Sequence, residues 1–342
     1  MRQIRTEDAV GHVLCHDMTQ IIPEDDGDRK RYKGARFRKG HVVEAEDIPV
    51  LLSMGKRNIY VWEMDETKLH EDEAAQRLAA LCLGEGLEPA GEPREGKINL
   101  RATCDGAFVV DSGRLVAVNS VEEVMVATKP GNIAVRAGQV LAGTRAIPLV
   151  VDKARLEAAE AAAGGRPLMR VAPYRLKTAG VLTTGSEVAA GIIKDRFTPV
   201  VEEKLRGVGV VTTQREVVDD GMDNLLAALA RMRETDVDLI ICTGGMSVDP
   251  DDNTPGAIKG SGARIVTYGA PVLPGAMMLL GYYDGEFGGA GATGASGRPV
   301  MGLPGCVMYS KTTIFDLVLP RIAAGVELGK RDFVVLGEGG ML

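Results

Sequence analysis

Five short apolar runs after residue 180, at 181–184, 208–213, 237–242, 265–268 and 300–303, constrain this chain more than any other feature. Each is too short for a buried helix and too continuous for a strand with one wet face, so together they read as strands of a sheet buried on both sides. Helices fit the intervals. Thr198 and Pro199 open one that puts Val200, Val201, Lys204 and Leu205 on one face before Gly207, and Asp223 caps another carrying Leu225, Leu226 and Leu229. The expected fold class is α/β, with a C-terminal three-layer α/β/α domain built on a mostly parallel sheet with right-handed crossovers.

The first half reads differently. Residues 1–83 suggest a mixed α+β unit with strands over 9–22 and 58–62, a short helix over 48–54 capped by Asp47 and closed by Gly55, and a longer helix over 69–83. Between those strands four acids precede seven basic residues from Arg29 to Lys39. A solvated loop tip is the expectation, because the acids neutralise much of its field; contact with a nucleotide or partner is the sharper alternative. A Gly/Pro/Glu linker leads to a β-rich unit over 84–165, with short extended runs at 107–110, 114–119 and 133–135. It closes with an alanine-rich helix over 152–163 that Gly164 and Gly165 end. The α/β domain then occupies 166–330, with 284–297 as a mobile low-complexity connection and 331–342 as a tail.

Composition narrows the partners. A formal charge of −7 argues against a broad basic surface, so neither nucleic acid nor an anionic membrane is expected. The N-terminus lacks the apolar core of a signal peptide, and the five cysteines lie far apart with no CxxC pair, which points to a reducing cytoplasm. Glycine is the excess residue at 43 of 342, against about one in fourteen in an ordinary chain. So many glycines suggest loops that bring the backbone close to something.

The chemistry is expected at strand ends. TTGSE at 183–187, TGGMSVDPDDNTP at 243–255 and GLPG at 302–305 each follow a run, and in an open parallel sheet such ends share the ligand-binding edge. Glycine there either makes a tight turn or lets backbone amides cradle a phosphate. No Walker A or GxGxxG pattern is present. The same edge carries Glu187, Asp219, Asp249, Asp251 and Asp252, hard oxygens suited to Mg²⁺ beside a phosphate. Capping is the alternative, by Asp251 or Asp252 for the helix near Pro255 and by Asp219 for its own turn. His12 and His16, about 13 Å apart on a strand, cannot share one ion, and Cys242 and Cys306 read as small packed residues.

With these motifs in order, residues 177–324 resemble the molybdenum-cofactor biosynthesis domain shared by molybdopterin adenylyltransferases and molybdopterin molybdenumtransferases, with related domains in competence-damage-inducible proteins. The resemblance rests on TTGSE, VVDD at 217–220, TGGMSVDPDDNTP and GLPG followed by a helix. It implies that Glu187, Asp219 and Asp252 are the acids of catalysis, with Asp252 and Asp219 holding Mg²⁺. Thr184, Gly185, Ser186, Gly244, Gly245, Ser247, Pro304 and Gly305 would hold the pterin and its phosphate. Molybdopterin or its adenylated form is the implied ligand and molybdate or tungstate the second substrate. The implied partners are further copies of the chain, as dimer or trimer, and an apo-enzyme that receives the cofactor. Departures are visible as well. GLPGCV replaces the transferase GLPGNP, LPGAMM replaces a lysine-bearing turn, and Asp249 replaces a glycine. TCDGAFVV at 103–110 resembles the transferase MDGYAV motif, which makes Asp105 a candidate from the second unit. The implied function is Mg-dependent cleavage of adenylated molybdopterin with metal insertion. A non-enzymatic pterin carrier and a competence-type nucleotide pyrophosphatase are the alternatives.

Overall fold

The computed structural model describes residues 1–23, 30–62, 65–247, 249, 252–285 and 297–341. The tip at 24–29, Asp251 and most of the 284–297 connection therefore lie outside the described residues.

Six strands form the C-terminal sheet: β1 (Thr178–Thr184), β2 (Val211–Val218), β3 (Leu239–Thr243), β4 (Arg264–Tyr268), β5 (Leu279–Tyr283) and β6 (Arg298–Leu303), in the order β2-β1-β3-β6-β5-β4. The first four in that order are parallel, and β5 runs antiparallel to both neighbours. The strand β5 was not among the five expected runs. It lies in the stretch interrupted by Pro274 and Gly275, and only its tertiary neighbours fill both of its faces.

Side chains alternate across this sheet. Val181, Leu239, Ile241, Met301 and Leu303 pack under helices α1 (Phe197–Gly207) and α4 (Ile314–Ala323). Leu182, Ile240, Cys242 and Val300 pack under α2 (Met222–Arg233) and α3 (Thr254–Gly260). This is the expected α/β/α sandwich. Residues after 330 also join it, since Phe333 on the turn Lys330–Val334 is buried in the first of these cores.

Several local expectations change. Asp195, not Thr198, anchors the start of α1, its Oδ1 accepting the amides of Phe197 at 2.8 Å and Thr198 at 3.1 Å. Asp223 sits in the first turn of α2 after Gly221 and makes no cap hydrogen bond. Asp47 is the first residue of its helix, Asp47–Ser53, and its Oδ2 accepts from the Glu44 amide and pairs with His41. Residues 114–119 are helical, within Ser112–Asn119, because Asp111 accepts the Arg114 amide and starts a turn; a Val-Ala-Val sequence with one buried position passes for a strand when read alone. The basic segment is no loop tip, since Lys30–Phe37 pairs with Met18–Pro23 as an antiparallel hairpin.

The N-terminal half holds two cores. Leu14, Met18, Phe37, Leu51, Ile59 and Val61 make the first. The second takes the helix Glu71–Cys82 together with residues 98–171, and its strand Met169–Pro173 pairs with Gly106–Val110. From these cores we place the unit boundaries near 63–67 and 174–177. His70 Nε2 to the Cys15 carbonyl, 2.8 Å, and Lys39 to Asp72, 2.8 Å, join the first two units.

Beside that joint Glu71 is only 9% exposed, and burial, aided by repulsion from Asp72, pushes its carboxyl up to about 7. The folded protein keeps this proton to about pH 7, whereas the unfolded chain loses it near 4.5, so stability falls as pH rises between those values. Glu71→Gln is expected to flatten this slope and to gain about 2 kcal/mol over the wild type at pH 8, read from urea unfolding at pH 5 and pH 8.

Candidate functional site

The sheet order reverses at β1: β2 lies on one side of it and β3 on the other. Such a switch point leaves a crevice outside the carboxyl ends of the two strands. A cavity of about 470 Å³ occupies it, lined by Thr183, Thr184, Val188, Lys194, Asp195, Arg196, Thr243, Gly244, Met308, Tyr309 and their neighbours. Its floor is a set of threonine hydroxyls. Thr243 Oγ1 donates to Thr183 Oγ1 at 3.4 Å, and Thr183 Oγ1 to Asp195 Oδ2 at 3.2 Å. Thr198 Oγ1 donates to the same carboxylate oxygen at 2.5 Å. Burial alone would raise the Asp195 carboxyl, but the hydrogen bonds from Thr198, Phe197 and Thr183 outweigh it and hold the group below the usual carboxylate range.

The glycine turns meet as expected, by contacts among themselves. The Gly244 backbone, at φ +85°, passes so close that an added Cβ would lie 2.3 Å from the Thr184 carbonyl oxygen. Thr254 Oγ1 donates to the Gly244 carbonyl at 3.0 Å and lies 3.3 Å from Thr184 Oγ1. Gly244 is thus required first by packing between the two turns. Asp220 ties in two more segments, its Oδ2 accepting the Ser186 amide and hydroxyl at 2.9 and 3.1 Å, and its carbonyl accepting Asn253 Nδ2 at 3.0 Å.

Of the residues singled out in the sequence, Thr184 and Gly244 line the cavity. Gly185, at φ +143°, makes the turn out of β1, and Gly245, at φ +54°, packs on Thr254. Ser186 is engaged by Asp220, and Ser247 is exposed. Pro304 is buried, and Gly305 has φ −56° with open space where a side chain would go, so nothing in the fold demands glycine there.

The acids separate. Asp219 is exposed and its Oδ1 accepts the Gly221 amide at 3.0 Å, which is the capping role. Glu187 is exposed on the short turn Ser186–Ala189. Asp252 does not cap α3, whose N-cap is Asn253. Its Oδ2 is buried and without a hydrogen-bond partner among the described residues, an orphaned hard oxygen just ahead of α3 and outside the cavity lining. Among the described residues, no three His, Cys, Asp or Glu side chains gather to hold a metal. Asp105 accepts the Ala137 amide at 2.9 Å and serves its own turn.

Lys194, Asp195, Arg196 and Tyr309 escaped the sequence reading. Lys194 and Arg196 are exposed at the cavity and, among the described residues, their side chains make no hydrogen bond or ion pair. Two cations flanking an acid in an otherwise acidic chain were the available signal. Cys242 is buried in the β3 core, and burial pushes its thiol up to about 12, so it is a packed residue and no nucleophile at neutral pH.

Residues 180–324 match the family model described as "Probable molybdopterin binding domain". Residues 3–63 match a second model, described as a domain of unknown function (DUF8806). The chain is 36% identical over 76 residues to a CinA-like protein of Mycobacterium marinum, which covers 22% of this chain and 18% of that protein. It is 26% identical over 161 residues to a molybdopterin molybdenumtransferase of Staphylococcus epidermidis, covering 45% of this chain and 37% of that protein. The chain thus spans less than half the length of these relatives. The structure of a molybdopterin biosynthesis Mog protein from Mycobacterium ulcerans aligns with TM-score 0.34 and 21% identity, over 44% of this chain and 97% of that one. No helix among the described residues is long and apolar enough to cross a membrane.

Gly244→Ala is expected to cost about 3 kcal/mol, from an unfavourable φ and a clash with backbone, whereas Gly305→Ala should stay within about 0.5 kcal/mol of the wild type. Chemical denaturation of the two variants side by side distinguishes a packing glycine from an open one.

Proposed function

We propose that the C-terminal domain binds molybdopterin or its adenylated form and acts late in molybdenum or tungsten cofactor assembly, cleaving the adenylate as molybdate or tungstate enters. The observation that carries this reading is the cavity at the β1–β3 switch point, with a hydroxyl floor and two unpaired cations in a segment matched by a molybdopterin-binding family. A volume near 470 Å³ falls within the range of about 300–1,000 Å³ typical of small-molecule sites.

In this reading Lys194 and Arg196 attract and orient the phosphates, supplying local positive charge that the whole chain lacks. Thr184 and the Gly244 turn hold the ligand's polar edge against the sheet. Asp195 fixes the Thr183 and Thr198 hydroxyls so that the floor is already oriented before ligand arrives. The residues also suit a magnesium ion. Asp252 Oδ2 is an unsatisfied hard donor, and Mg²⁺ is commonly held by one or two carboxylates plus substrate phosphates, so a large protein cage is unnecessary. Asp252 would be the first ligand, with Asp219 offering its second oxygen and Glu187 nearby; all three lie outside the cavity lining, so they would act on the phosphates from the rim. Bound there, the ion would polarise the phosphoanhydride and offset charge on the departing phosphate.

AMP release from adenylated molybdopterin by the purified protein is expected to require Mg²⁺ and molybdate, and to fall at least 100-fold in Asp252→Asn. Equal rates for the two proteins would remove the assignment. Tight pterin binding without turnover would instead identify a carrier.

The 36% identity to a CinA-like protein and the paired aspartates favour a second reading, a nucleotide pyrophosphatase. Turnover of ADP-ribose without pterin would select it.

A further inference from the structure

In the sheet, β3 lies between β1 and β6, so the segments leaving β1 and β6 flank the cavity on its two sides. Each side contributes apolar groups, and the first also carries Lys194, Asp195 and Arg196. Val188 and Ile193 come from the first segment, and Met308 and Tyr309 from the short turn Cys306–Tyr309. The threonines of β1 and β3 make the polar floor between them. Tyr309 is 82% exposed and Ile193 49%. Among the described residues, the Tyr309 ring has no aromatic or cationic neighbour and its hydroxyl no hydrogen bond. Only 4% of this chain is aromatic, and here one ring stands unsupported at a cavity mouth.

A slot with a polar floor, apolar sides and a cationic rim matches a flat heterocycle that carries a phosphate. Ring edges can exchange hydrogen bonds with hydroxyls, while ring faces gain most against an aromatic or thioether surface. We propose that Tyr309 is the stacking platform for the ligand's fused ring, with Met308 beside it and Val188 and Ile193 against the opposite face. The site then selects a heterocycle over a bare sugar phosphate. This deepens the ligand reading above and rests on it.

Titration calorimetry on the full chain tests it with three probes: AMP, neopterin monophosphate and ribose 5-phosphate. Tyr309→Leu is expected to weaken both ring-bearing ligands about tenfold, to leave the weak ribose 5-phosphate binding within twofold, and to unfold at the wild-type temperature because the side chain is exposed. Tyr309→Phe should bind nearly as the wild type does. Unchanged AMP and neopterin monophosphate binding by Tyr309→Leu would overturn the stacking role alone. So would an equal loss for all three ligands, which marks a general disturbance of the pocket. A wild-type protein that binds neither ring-bearing probe would remove the ligand reading itself, and this inference with it.

Discussion

Burial of β1, β3 and β6 on both faces is the constraint from which the rest of the C-terminal domain follows. Successive side chains go to opposite cores, with Val181, Ile241 and Leu303 under one helical layer and Leu182, Cys242 and Val300 under the other. At about 25 cal/mol per Å² of apolar surface, such burial dominates the local energetics and leaves no face of these strands free for a ligand. What remains available is their carboxyl ends. There the change of strand order at β1 keeps the connections from covering the crevice.

Polar groups driven into that crevice need partners, and the chain supplies them internally. Thr183, Thr184, Thr198, Thr243 and Thr254 are all buried, and each hydroxyl meets another hydroxyl, a carboxylate or a backbone carbonyl. Asp195 serves both ends of this network, holding the first amides of α1 and receiving the floor hydroxyls. A carboxylate in that position strengthens the hydrogen bonds it accepts and fixes the direction of the hydroxyls. Against this satisfied background, the Asp252 oxygen, Lys194 and Arg196 have no hydrogen-bond or ion-pair partner among the described residues. The glycine turns contribute less directly than their composition suggests, since Gly244 is required by the Thr184 carbonyl and Gly305 by nothing in the fold.

Much of the α/β domain is legible in the sequence because a strand buried on both faces leaves a contiguous apolar signature, as at 181–184, 237–242 and 300–303. The helix over 222–233 is equally plain from its leucine spacing. Legibility fails where burial is one-sided or interrupted. The helix Ser112–Asn119 buries only Val118 and so lacks a helical stripe, and β5 hides in a segment broken by Pro274. The hairpin Met18–Pro23 with Lys30–Phe37 carries so many charges that composition suggests solvent, although Met18 and Phe37 at its base are core residues.

By itself the sequence determined the sandwich, the edge at which its turns gather and the supply of acids there, because local periodicity encodes which faces are buried. Tertiary structure alone decided the division of labour among near-identical groups. Asp219 closes its own turn, Asp220 ties three segments together, Asp195 orients the floor, and one Asp252 oxygen is left unsatisfied among the described residues. It also brought Tyr309, more than a hundred residues from Thr184 in the chain, to the mouth of the same cavity. The physical reason is that a side chain's partners depend on strand order and register between distant segments, and no periodicity within one segment records them.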